Sequence, residues 1–138
     1  MILNTTYLDK NKVRQIYKVV GEPISFWKRL TSTVGSHRMV VESYSADFNQ
    51  HLKNGQNILY ANIELRPKGI IVRFSVKYST ISWLIPYHKL VIYQSENFSI
   101  YSDSNFVKFR RDNNFTMNKG FLKSMMDKKS SSHMINVF

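Results

Sequence analysis

The sequence predicts one α+β domain: N-terminal helices, a six-stranded antiparallel meander and a closing C-terminal helix, with the helices against one sheet face. Three observations carry that prediction. Apolar residues recur at helical spacing over much of 9–55. They switch to a period of two across 57–112, in short runs joined by brief turns. A last apolar stripe at helical spacing then occupies 118–129. Few core-forming side chains remain in 130–138, which reads as a flexible tail. The first few residues are similarly poor, so the domain proper fits within 1–129. No internal repeat and no linker divides it.

The first helix rests on Val13, Ile16, Tyr17 and Val20, which share one stripe. Asp9 is placed to cap its start, with Leu8 and Val13 set for a hydrophobic staple. Gly21 and Pro23 end it, since glycine accepts the left-handed turn and proline disfavours helix in the residue before it. Phe26, Trp27 and Leu30 suggest a second, short helix. Val40, Val41, Tyr44, Phe48 and Leu52 then fall at helical spacing, with Gly55 as a stop, and a helix from about Ser36 to Asn54 is the preferred reading. The stretch "RMVVESYS" (Arg38–Ser45) also suits a strand, because β-branched and aromatic residues fit a pleated surface.

From Asn57 the alternation is plain. "NILYANIELR" puts Leu59, Ala61, Ile63 and Leu65 on one face. The turn "RPKG" leads into "IIVRFSVKY", with Ile70, Val72, Phe74, Val76 and Tyr78 inward. Ser79 and Thr80 are read as the next turn, and Ile81, Trp83 and Ile85 follow. Pro86 cannot donate to a ladder, so that strand ends there or lies at an edge. Leu90 and Ile92, Phe98 and Ile100, then Val107 and Phe109 complete six strands. Phe121, Leu122, Met125 and Met126 form the stripe of the last helix, with Asn118 at its cap.

Composition bounds the chemistry. A chain of 138 residues can bury a core without a metal or a disulfide. Cysteine is absent, which removes disulfides, thiolate nucleophiles and Cys-based metal centres, and fits a reducing cytoplasm. The N-terminus has no signal-peptide pattern, and no apolar run approaches the roughly 18 residues of a membrane span. The expected location is therefore cytoplasmic.

The formal net charge is +11. A basic surface favours nucleic acid or another anionic partner. The charge is spread: residues 1–57 and 58–112 each carry eight basic and four acidic side chains, and 113–138 carry four and one. There is no polybasic arm. Richness in Lys, Asn, Ile, Tyr and Ser is also the habit of an AT-rich genome, so composition competes with selection for binding as the source of the charge.

Positions that alternate with the core set share the opposite face of the meander: Tyr60, Arg66, Arg73, Lys77, Tyr93, Tyr101, Lys108 and Arg110. Basic residues among aromatics on a sheet suit single-stranded nucleic acid, with charge for the backbone and rings for the bases. Such residues also simply keep a sheet soluble. Arg73, Lys77, Tyr101, Lys108 and Arg110 are the expected binding face. The same Tyr-rich face suits a protein–protein adaptor or a homo-oligomer, because interfaces favour aromatics and Arg.

Catalytic patterns are thin. Asp47 and His51 lie four apart, as a helical metal pair would, but lack a third ligand. The glycines are isolated, so no phosphate-binding loop is present, and no cofactor is expected. An enzyme is disfavoured.

"ISWLIPYHKLVIYQSENFSIYSDSNFVKFRR" followed by "GFLKSMMDKK" resembles the second half of a small bacterial pleckstrin-homology-like module, in which an antiparallel meander runs into a final amphipathic helix. Ile85, Pro86 and Tyr87 match a strand type frequent there, and the likeness covers roughly 57–129. It implies a partly open barrel, usually of seven strands, where six are counted unless Arg38–Ser45 supplies another. The chain as a whole also resembles small Bacteroidota proteins, a likeness that carries no function. Fold analogy implies a binding module but does not fix the ligand.

Overall fold

The structure, a computed structural model, describes residues 1–24, 34–52 and 58–137. Its alternating segments form one antiparallel sheet of eight strands: β1 (Ile2–Asn4), β2 (Met39–Tyr44), β3 (Tyr60–Leu65), β4 (Gly69–Val76), β5 (Ser79–Pro86), β6 (Val91–Gln94), β7 (Phe98–Ser102) and β8 (Asn105–Phe109). Their spatial order is β1-β5-β4-β3-β2-β8-β7-β6. Among the described residues four α-helices accompany them: α1 (Lys10–Val20), α2 (Asn49–Leu52), α3 (Asn113–Thr116) and α4 (Lys119–Val137). Short 3₁₀ turns span Ala46–Phe48 and Tyr87–Lys89.

The α+β class and the antiparallel sheet agree with the sequence. The single six-stranded meander does not: β3-β4-β5 and β6-β7-β8 are two three-stranded runs, with β2 between β3 and β8, and β5 and β6 are not neighbours. The count of six strands is corrected to eight among the described residues. β1 was hidden because three residues on a sheet edge are too few to show alternation; it pairs Ile2 with Trp83 and Asn4 with Ile81. β2 replaces the first part of the helix expected over 36–54. It is a central strand, flanked by β3 and β8, and Met39, Val40 and Val41 are buried on both of its faces, so the period of two is lost. Helical geometry begins only at Ala46. The end of that expected helix and the short helix suggested by Phe26, Trp27 and Leu30 lie outside the described residues.

β2 is also where the sheet turns. Met39 and Val40 pair with β3, whereas Val41, Ser43 and Tyr44 pair with β8, with a register shift between Val41 and Ser43. An irregularity of this kind bends a strand and increases its local twist. Residues from both parts of the sheet share one core, in which Phe48 meets Phe74 at 5.4 Å and Trp83 at 5.1 Å between ring centroids. Phe98, Val107 and Phe109 belong to that core, as do Phe121, Leu122 and Met125 of α4. Each buried aromatic contributes about 2–3 kcal/mol of transfer free energy.

α1 forms as its sequence dictates. Asp9 accepts the backbone N–H of Lys12 at 2.8 Å, and Gly21 stops the helix at φ 91° while donating to the Tyr17 carbonyl. Its position differs from the expectation that all helices cover one sheet face. Ile16 and Val20 pack on Ile71 and Leu84, on the outer side of β4 and β5. The signal was present in "IIV" and "WLI", where apolar residues occupy both faces of the strand.

Three further details depart from the sequence reading. The β4–β5 turn is Lys77–Tyr78 rather than Ser79–Thr80, so Tyr78, expected inward, is 96% exposed. Arg66, expected outward, is buried. The backbone remains helical to Val137, beyond Lys129 where a loose tail was expected, because no glycine or proline follows to stop it.

Candidate nucleic-acid interface

The outer face of β6, β7 and β8 carries a continuous array of rings. Register builds it: Val91 of β6 lies opposite Tyr101 of β7, which lies opposite Phe106 of β8. The next row runs Tyr93, Ser99, Lys108 and then Ser43 of β2. Tyr93 meets Tyr101 edge-on at 5.1 Å between centroids, and Tyr101 stacks on Phe106 at 5.5 Å with planes 30° apart. The Lys108 ammonium sits 5.5 Å from the centre of the Phe106 ring. The rings therefore hold one another in place at two spacings favoured for aromatic pairs.

This array is open to solvent. Tyr93 is 56% exposed, and Val91 is also exposed, while Tyr101, Phe106 and Lys108 are half-buried. A shallow depression of about 480 Å³ runs between Val91, Tyr93, Tyr101 and Lys108, with Ser99 at its base. It offers ring faces and edges, one cation and hydroxyls.

The five residues expected to form one binding face are divided by the fold. Tyr101 and Lys108 come together as described. Arg110 follows β8 two residues beyond Lys108 and pairs with Glu42 at 2.7 Å, so its charge is partly neutralised. Lys77 is not on the face: it occupies the β4–β5 turn with φ 50°. Arg73 is elsewhere again, on β4, with β3 and β2 between it and β8. Its Nη1 donates to Glu64 Oε1 at 2.6 Å.

Glu64 is the centre of a second polar cluster. Arg66 Nε also donates to it, and Arg66 Nη1 reaches the Gly21 carbonyl at 3.1 Å, tying the end of α1 to the sheet. Burial pushes the Glu64 carboxyl up, but Arg73 and Arg66 outweigh it and hold the carboxyl below its ordinary range. This cluster is a structural tie between α1 and β3–β4.

Phe106 and Arg38 were missed by the sequence reading. Phe106 is outward by simple alternation with Val107 and Phe109, a signal masked by its being apolar. Arg38 lies 4.2 Å above the Tyr60 ring, at the start of what was read as a helix. Asp47 and His51 fall in a 3₁₀ turn and in α2 respectively. Among the described residues no three His, Asp or Glu side chains gather as a metal site. No helix among them is long and apolar enough to cross a membrane.

Compared with protein families, with characterised proteins and with solved structures, the chain matches none.

Proposed function

We propose that the protein is a non-catalytic cytoplasmic binding module whose ligand is anionic and ring-bearing, single-stranded nucleic acid first among such ligands. The observation that carries this reading is the Tyr93–Tyr101–Phe106 array with Lys108 beside it. Bases stack on aromatic side chains with about 1–3 kcal/mol each, and a neighbouring lysine neutralises phosphate. The net charge of +11 adds long-range attraction. Binding residues are then Tyr93, Tyr101, Phe106 and Lys108, with Arg110 and Arg38 on the flanks.

The pleckstrin-homology-like reading belongs here as well. Seven strands from Met39 to Phe109, bent at β2 and followed by α3 and α4, support it; β1 and α1 are additions to that pattern. Such a module binds through its surface rather than by chemistry.

A protein–protein or homo-oligomeric role is the second reading, favoured by one observation. β6 lies at the end of the sheet order, with exposed Val91 and Tyr93, so a strand from a partner can add to it. Sedimentation at several protein concentrations distinguishes self-association from monomeric ligand binding.

The test is amide chemical-shift mapping during titration with a short oligouridylate. The proposal expects shifts concentrated in 91–94, 99–101 and 106–108. Shifts scattered over every basic surface, or none, refute it.

A further inference from the structure

A second site lies under α1, on the opposite side of the sheet from the core. The helix and the chain before it enclose a cleft of about 420 Å³ over the outer face of β4 and β5, within the size range of small-molecule sites. One wall is apolar, made by Leu8, Val13, Ile16, Tyr17 and Pro23. The floor is polar: Arg73, Thr80, and Ser82 hydrogen-bonded to Thr5 at 2.6 Å.

The charge balance of that floor is specific. Arg66 is committed, through Nε to Glu64 and through Nη1 to the Gly21 carbonyl. Arg73 makes one side-chain bond among the described residues, from Nη1 to Glu64, and its side chain remains 32% exposed. Two guanidiniums face one carboxylate, leaving a single positive charge and an incompletely used planar fork. A guanidinium fork matches a carboxylate in geometry, and one residual charge matches a monoanion. The apolar wall accounts for the remainder of the cleft.

We propose that this cleft binds a small monocarboxylate with an apolar body, its carboxylate on Arg73 and the Thr80 hydroxyl and its body against Val13, Ile16 and Tyr17. This site is independent of the ring array, and the two readings stand or fall separately.

The test uses the full chain and two probes of equal shape, hexanoate and its neutral amide, hexanamide, followed by amide shifts. Hexanoate is expected to give saturable shifts at Val13–Tyr17 and Thr80–Ser82, with affinity about tenfold above that of hexanamide, the difference a charge-assisted fork supplies. Arg73→Met removes that difference. Glu64→Gln releases the Arg73 fork and raises the charge of the floor, so it tightens hexanoate and leaves hexanamide unchanged. Should either variant fail to fold, Val13→Trp fills the cleft without touching the ion cluster and abolishes the hexanoate shifts. Equal affinity for the two probes, no saturable shift with either, or hexanoate shifts that survive Val13→Trp overturns the proposal.

Discussion

The Asn118 side chain accepts the backbone N–H of His37 on its Oδ1 at 2.8 Å, joining the entry of β2 to the junction of α3 and α4 across 81 positions of sequence. Asn118 is 1% exposed, and its Nδ2 donates to the Asn114 carbonyl at 2.9 Å. The residue thus fixes where the closing helix meets the sheet. Asn118→Ala strips several hydrogen bonds from a buried site and is expected to cost about 2 kcal/mol. Urea denaturation checks this as a lower midpoint at unchanged slope.

Glu64 predicts an acid-dependent stability. Its folded carboxyl titrates below the ordinary value of 4.5 because Arg73 and Arg66 outweigh its burial. Its contribution is therefore fully present above the unfolded pKa and is lost as pH falls through the folded one. The stability difference between wild type and Glu64→Gln is expected to be constant from pH 7 to about pH 5 and to shrink below that. Paired denaturation curves across that range measure it, and the pairing cancels the other carboxylates.

Gly69 has no room for a side chain. A Cβ there would lie 2.2 Å from the Ile85 carbonyl oxygen, which is backbone and cannot swing aside. Gly69→Ala is expected to destabilise the β4–β5 pair by about 3 kcal/mol. Gly120, with open space around it, serves as the control: Gly120→Ala is expected to be neutral or stabilising, by up to about 1 kcal/mol, because alanine is the better helix former. Thermal unfolding separates the two.

Lys77 sits at positive φ in a tight turn, where glycine carries no steric penalty. Lys77→Gly is expected to raise stability by about 0.5–1 kcal/mol. If the residue belongs to the turn and not to the binding face, nucleic-acid affinity falls only by the small salt-dependent share of one distant charge.

The two three-stranded runs were legible because the core face sets a period of two along most of β3 to β8. Legibility failed where both faces are covered. Val40 and Val41 in β2 are both buried, so the period of two is lost there, and Ile71 and Leu84, which no alternating core set includes, are the seat of α1. Half of the candidate face was readable for the same reason. Tyr101 and Lys108 were placed by alternation alone, and that rule equally selected Arg73 and Lys77. Alternation reports which side of a strand a residue takes. It does not report which strands are neighbours, where a turn falls, or that a helix returns to cover part of the outer face.

Base stacking on the ring array is tested by the affinity of labelled single-stranded RNA for wild type and Tyr101→Ala, read by fluorescence anisotropy at about 200 mM salt, where phosphate contacts are weakened. Wild type is expected to bind still at that salt, and Tyr101→Ala to lose about tenfold, the share of one stacked base. Affinity that disappears at that salt, or that is the same in the two proteins, would contradict a ring-stacking site.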